Sequence, residues 1–162
     1  MDSVQIRPIQ THDNPATAQM IKAVLIEQKA PKIGTAYEDP WLNKLYEYYD
    51  QPQSEYFVLS KGKEIVGGAG IAPISRSKKE TTCELQKMYL KPEIRGFGLG
   101  KQTIEKCLDF ARQEGFLQCY IETLPWMKAA QKLYLRNGFK PIEERMGATG
   151  HHSCTVFLLK KL

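Results

Sequence analysis

Lys87-Met88-Tyr89-Leu90-Lys91-Pro92-Glu93-Ile94-Arg95-Gly96-Phe97-Gly98-Leu99-Gly100-Lys101 is the stretch whose reading decides the fold. An apolar strand enters a loop carrying Arg-Gly-x-Gly-x-Gly, and an amphipathic helix leaves it. Glycines let the backbone turn tightly and approach a ligand closely. Successive N–H groups then face one concavity at a helix N-terminus, where partial positive charge favours phosphate. Lys101 and Arg95 add full positive charge beside it. Gly96, Gly98 and Gly100 do not give the G-x-G-x-x-G of a dinucleotide site, and Gly100-Lys101 is followed by Gln102 rather than Ser or Thr. Rossmann and P-loop readings therefore fail on spacing. A glycine-rich connection with no ligand is the alternative that the loop alone leaves open.

Working outward, hydrophobic periodicity gives the neighbouring elements. The spacing predicts a helix over Gly100–Glu114, with Ile104, Cys107, Leu108 and Ala111 on one face and Gly115 as its stop. Thr82–Leu90 precedes the loop as a strand, and Leu117–Leu124 follows the helix as another. Upstream, Val4–Pro8 alternates as a first strand. A helix starts at Asp13 or Asn14 with Pro15 behind it. Pro40 opens a second helix, with Trp41, Leu42, Leu45, Tyr46 and Tyr49 on one side. Glu55–Ser60 and Glu64–Ala72 form a hairpin around Lys61-Gly62-Lys63, and Gly67, Gly68 and Gly70 signal a bulge or close backbone approach. Arg76–Glu80 reads as a polar loop. Trp126–Arg136 is a helix closed by Asn137-Gly138, and Phe139–Glu143 and Thr155–Leu159 are the last strands. No repeat or linker interrupts this order, so residues 1–162 read as one α/β domain.

Composition bounds the function. The chain has 162 residues, 42% hydrophobic and 25% charged, which excludes disordered, collagen-like and mucin-like classes. Lys plus Arg number 23 against 18 Asp plus Glu, a net charge of +5. That excess raises the question of a polyanionic partner. The densest basic run, Arg76-Ser77-Lys78-Lys79, is followed at once by Glu80, and a surface loop accounts for it without nucleic acid. The N-terminus has no signal-like apolar run and no stretch is long enough to span a membrane. Cys83, Cys107, Cys119 and Cys154 match no zinc spacing and read as reduced thiols of a cytoplasmic protein. His151, His152 and Cys154 are the only local set of soft ligands, and without a fourth they predict an exposed loop and no metal.

Leu85-x-x-Met88-x-Leu90-x-x-x-x-Arg95-Gly96-x-Gly98-x-Gly100 resembles the signature of the GNAT superfamily of acetyl-CoA-dependent N-acetyltransferases. Ala130-x-x-Leu133-Tyr134-x-x-x-Gly138-Phe139 is similar to that family's later helix-to-strand segment. The order of elements matches over essentially the whole chain. The resemblance implies a mixed, mostly antiparallel sheet of six to seven strands, splayed between strands 4 and 5 and flanked by about four helices. It implies acetyl transfer from acetyl-CoA to a primary amine by direct attack in a ternary complex. The single-domain reading favours a small-molecule acceptor, and a monomer or homodimer is expected. A non-catalytic acetyl-CoA-binding module and a protein or peptide N-acetyltransferase are the alternatives.

Residue by residue, the resemblance places the pyrophosphate on Arg95, Gly96, Phe97, Gly98, Leu99, Gly100 and Lys101. Met88, Tyr89 and Leu90 pair with the pantetheine arm, which as an amide chain can join an opened sheet edge. Thr123, Met127, Ala130 and Tyr134 complete the cofactor contacts, although many members carry Asn where Met127 stands. Tyr134 is the implied general acid, delivering a proton to the leaving thiolate. Glu84 is the implied base for the attacking amine, with Glu122 second. The Met88 or Tyr89 N–H is the implied donor to the thioester carbonyl. The aromatic set Tyr37, Trp41, Tyr46, Tyr48 and Tyr49 reads as core or as acceptor lining, and His151 or His152 as a loop residue or proton relay.

Overall fold

A computed structural model of the protein describes residues 3–76 and 80–162. The basic run noted at Arg76-Ser77-Lys78-Lys79 falls mostly outside the described residues. The chain runs β1 (Val4–Pro8), α1 (Asn14–Glu27), α2 (Leu45–Tyr49), β2 (Glu55–Lys61), β3 (Glu64–Pro73), β4 (Thr82–Leu90), α3 (Leu99–Gln113), β5 (Gln118–Thr123), α4 (Lys128–Arg136), β6 (Lys140–Ile142) and β7 (Val156–Lys161). The seven strands form one sheet in the order β1-β2-β3-β4-β5-β7-β6. Every neighbouring pair is antiparallel except β4 and β5. A parallel pair needs a crossover, and α3 supplies it.

The sheet is covered on both faces. Ile104, Cys107, Leu108 and Ala111 all point inward from α3 onto Phe57, Ala69, Ile71 and Leu85, as their spacing predicts. Gly115 ends α3 at φ +85, and Phe116 N–H closes the last turn on the Ala111 carbonyl at 3.0 Å. On the opposite face Met20, Ile21, Val24 and Leu25 of α1 pack with Leu42, Leu45, Tyr49 and Tyr56. β3 is buried from Ile65 to Pro73, which is why it carries no polar alternation. Its glycines admit tyrosine rings: a β-carbon on Gly68 would lie 2.6 Å from the Tyr56 ring and one on Gly70 2.7 Å from Tyr49.

One sequence expectation is corrected. The helix expected from Pro40 is a 3-10 turn at Leu42–Lys44 followed by the five-residue α2. Lys44 (φ −137, ψ 47) breaks the ladder, so Trp41 is 49% exposed instead of sharing a face with buried Leu42, Leu45 and Tyr49.

The feature that positions the site is a seam. β4 pairs with β5 only at Thr82↔Gln118, Cys83↔Cys119 and Glu84↔Tyr120. Beyond Glu84 the strands diverge. β5 stays paired to β7 along its full length, and β4 stays paired to β3. The edge of β4 from Leu85 to Leu90 thus faces an opening inside the sheet.

Candidate active site

The glycine loop stands at the outer end of this seam. Gly96 and Gly98 have φ +85 and +78, a region that penalises any β-carbon, and a β-carbon there would point into open space. Gly98 is the N-cap of α3, and its carbonyl accepts from Gln102 N–H at 3.1 Å. The N–H groups of the first helical turn have no carbonyl ahead of them and face outward as donors. Gly100 is small for a different reason, since a β-carbon would meet Leu133 of α4 at 2.8 Å.

A groove of about 630 Å³ leads from this loop along the seam. Met88, Tyr89 and Leu90 of β4 form one wall, and Arg95, Gly96, Gly98, Gly100 and Lys101 form its outer end. Met127, Ala130, Leu133 and Tyr134 close it from the α4 side. Of the other residues expected here, Phe97 is 63% exposed beside the loop and Leu99 packs inward on the Leu59 and Val66 cluster. Thr123 lines a narrower passage of about 60 Å³ that continues inward past Leu85, Lys87, Glu122 and Cys154. Met88, Tyr89, Met127, Ala130 and Tyr134 border both spaces and so mark their junction.

Charge is arranged differently at the two ends. At the outer end, Arg95 forks onto Glu27 of α1 at 2.8 and 3.1 Å, and its Nε donates to the Leu90 carbonyl at 2.9 Å. The Arg95 side chain therefore ties the loop to α1 and β4, and holds the Glu27 carboxyl below its ordinary range. Lys101 stays exposed, 3.6 Å from Glu105. At the inner end the carboxylates are buried. Glu84 is 5% exposed, and burial followed by the charge of Glu122 pushes its carboxyl up to about 8. Glu122 accepts from Tyr120 Oη at 2.8 Å, Thr149 Oγ1 at 2.9 Å and Arg145 at 2.6 Å. Asp39 bridges Lys87 Nζ and His151 Nε2, each at 2.7 Å. Burial alone would raise Asp39, but the His151 hydrogen bond and the Lys87 charge bring it below its usual value.

Tyr134 is 6% exposed and packs edge-on against Phe139. Burial raises its phenol, so it keeps its proton throughout the neutral range. Among the described residues no group hydrogen-bonds its hydroxyl. Cys154 borders the same passage, and burial pushes its thiol up to about 12. Tyr49 is core, and its hydroxyl donates to Gln86 Oε1 at 2.7 Å. His151 turns to Asp39 while His152 packs on Gly34. Among the described residues no group of three His, Cys, Asp or Glu converges for a metal ion. Asp39, Lys87, Arg145 and Glu27 carry no signal in the sequence, because their partners lie far away along the chain.

The chain is similar to known proteins in sequence and in fold. The acetyltransferase (GNAT) family profile matches residues 21–139. The chain belongs to the GNAT acetyltransferase family. YjgM of Escherichia coli K12, named as an uncharacterized N-acetyltransferase, is 43% identical over 159 residues, 97% of this chain and 94% of that one. The cattle thialysine N-epsilon-acetyltransferase is 36% identical over 83 residues, 51% of this chain and 49% of that one. Among solved structures, an acetyltransferase of Streptococcus agalactiae superposes with a TM-score of 0.82 at 19% identity over all of both chains. PaiA N-acetyltransferase of Thermoplasma acidophilum, solved with coenzyme A, gives 0.75 at 17% identity over 99% of each. The mixed seven-stranded GNAT sheet and the GNAT N-acetyltransferase assignment expected from the sequence both hold. No helix of this acetyltransferase, among its described residues, is long and apolar enough to cross a membrane.

Proposed function

We propose that this N-acetyltransferase carries the acetyl group of acetyl-CoA to a primary amine of a small molecule by direct attack in a ternary complex. The observation that carries the reading is the junction. A long groove ending in an anion cradle meets, at Tyr134, a short passage that runs inward past Lys87 and Glu122. In this reading the helix α3 N-terminus and Lys101 hold the pyrophosphate, and the free edge of β4 pairs with the pantetheine amides. The thioester carbonyl then lies by the β4 amides at Met88 and Tyr89.

The amine nitrogen forms the new C–N bond, the carbonyl oxygen takes up negative charge against a strand N–H, and the C–S bond breaks. Glu84, with its carboxyl near 8, accepts the proton that the ammonium must lose. Tyr134 donates its proton to the departing thiolate and is reprotonated, through solvent, by the second proton that the nitrogen sheds as it becomes an amide. The same burial that raises the phenol raises the basicity of the thiolate, so the transfer is not opposed by mismatch. A small acceptor is favoured because the acceptor side is bracketed: Ser153 N–H binds the Gly34 carbonyl at 3.1 Å and His151 binds Asp39 at 2.7 Å. An alkyl amine is favoured by the relative whose name specifies an ε-nitrogen.

The test is thiol release from acetyl-CoA with a panel of alkyl diamines, amino acids and peptides, with the product mass measured. An acetamide on a small amine is the expected product. Turnover confined to peptides, or an O-acetyl product, overturns the acceptor assignment.

A further inference from the structure

Lys87 has φ +48. A side chain with a β-carbon is held in this left-handed region only when its surroundings over-determine it. The sheet register shows why it is there. Gly70 faces Gln86 and Gly68 faces Tyr89, so Lys87 and Met88 together oppose Ala69. This is a β-bulge in β4, at the point where the strand enters the seam.

Two contacts fix the bulged residue. Its carbonyl accepts from Tyr56 Oη at 2.9 Å, and its ammonium meets Asp39 Oδ2 at 2.7 Å. The side chains of Lys87 and Asp39 are only 8% and 18% exposed, so salt screens the pair little. Asp39 is itself anchored. Its N–H binds the Ala36 carbonyl, its carbonyl accepts from Leu42 N–H, and its second oxygen holds His151.

We propose that Asp39 is a positioning residue for acetyl transfer: by gripping the Lys87 ammonium it keeps β4 bulged, and the bulge sets how the backbone at Met88 and Tyr89 meets the donor. The proposal rests on the acetyl-CoA reading above. Losing the grip removes what balances the left-handed strain, and β4 relaxes toward an ordinary extended ladder. The backbone at Met88 and Tyr89 then shifts by about 1 Å, a displacement large enough to matter for both binding and reaction.

Coenzyme A affinity, measured by calorimetry on the full chain, tests this with Asp39→Asn, Lys87→Ala and Lys87→Gly. Glycine takes φ +48 unaided, whereas alanine needs the clamp it has lost. Asp39→Asn and Lys87→Ala are each expected to weaken binding about tenfold, equivalent to about 1.4 kcal/mol. Lys87→Gly is expected to stay within about threefold of the unmodified protein, and adding Asp39→Asn to it to change little more. Thermal melts followed by circular dichroism show that each variant is folded. If Asp39→Asn does not fold, the alanine–glycine difference at position 87 decides. Equal weakening by Lys87→Ala and Lys87→Gly, or unchanged affinity in Asp39→Asn while the unmodified protein binds, overturns the clamp alone. No binding by the unmodified protein overturns the donor reading and the clamp with it.

Discussion

The outer and inner ends of the seam are built on different principles. The outer end is made of backbone, in one contiguous stretch from Met88 to Lys101, with left-handed glycines and a helix start. The inner end is made of side chains gathered from across the chain: Asp39, Glu84, Lys87, Glu122, Arg145 and His151. A backbone cradle recognises a constant chemical group and depends on little besides conformation. A side-chain cluster is tuned by burial and mutual charge, and in the proposed reading it is where chemistry and acceptor choice reside.

Three substitutions break this division if it is wrong. The largest effect is expected at the junction. Tyr134→Phe removes a proton donor and is expected to lower kcat about a hundredfold, with coenzyme A affinity unchanged. Equal kcat in a folded variant removes Tyr134 from the chemistry. Gly98→Ala should do the reverse. Its β-carbon meets open space, so only the positive φ is penalised. Coenzyme A binding is expected to weaken about tenfold, with kcat at saturating donor nearly unchanged. A fall in kcat without weaker binding would mean that the cradle does more than hold the donor.

The smallest effect separates electrostatics from catalysis at Glu84. Its folded-state carboxyl is raised to about 8, so the folded chain holds a proton that the unfolded chain releases at ordinary carboxylate pH. That burial opposes folding increasingly as pH rises from about 4.5 to 8, then levels off. Glu84→Gln, which has no charge to bury, is therefore expected to melt about 5 °C above the unmodified protein at pH 8.5. The gap should close by pH 4.5. A gap independent of pH rules out the buried ionisation.

The same division explains what could be read in the sequence. The Arg-Gly-x-Gly-x-Gly stretch and the 3.6-residue rhythm of Ile104, Cys107, Leu108 and Ala111 are local, and both appear where spacing put them. Gly68 and Gly70 signal a close approach, and each meets a tyrosine ring, whereas the bulge opposite them lies in β4. The helix from Pro40 failed because apolar spacing does not report a backbone break at Lys44. The grip of Asp39 on Lys87 joins residues whose separation no periodicity records, and the pairing of Arg95 with Glu27 is of the same kind. Glu84 was legible as a carboxylate on a strand, but its proximity to Glu122 exists only once β4 and β5 are side by side.

A strand edge is normally a rim feature, blunted at the two borders of a sheet against unwanted partners. Here the short β6 with Pro141 serves that purpose on one border. The stretch from Leu85 to Leu90 is an edge in the interior, an incomplete ladder waiting for its next rung. In the donor reading, the bound amide chain supplies that rung. The cofactor would then complete the secondary structure of the enzyme as well as feed its reaction, so amide protection along β4 and resistance to proteolysis would rise together with occupancy.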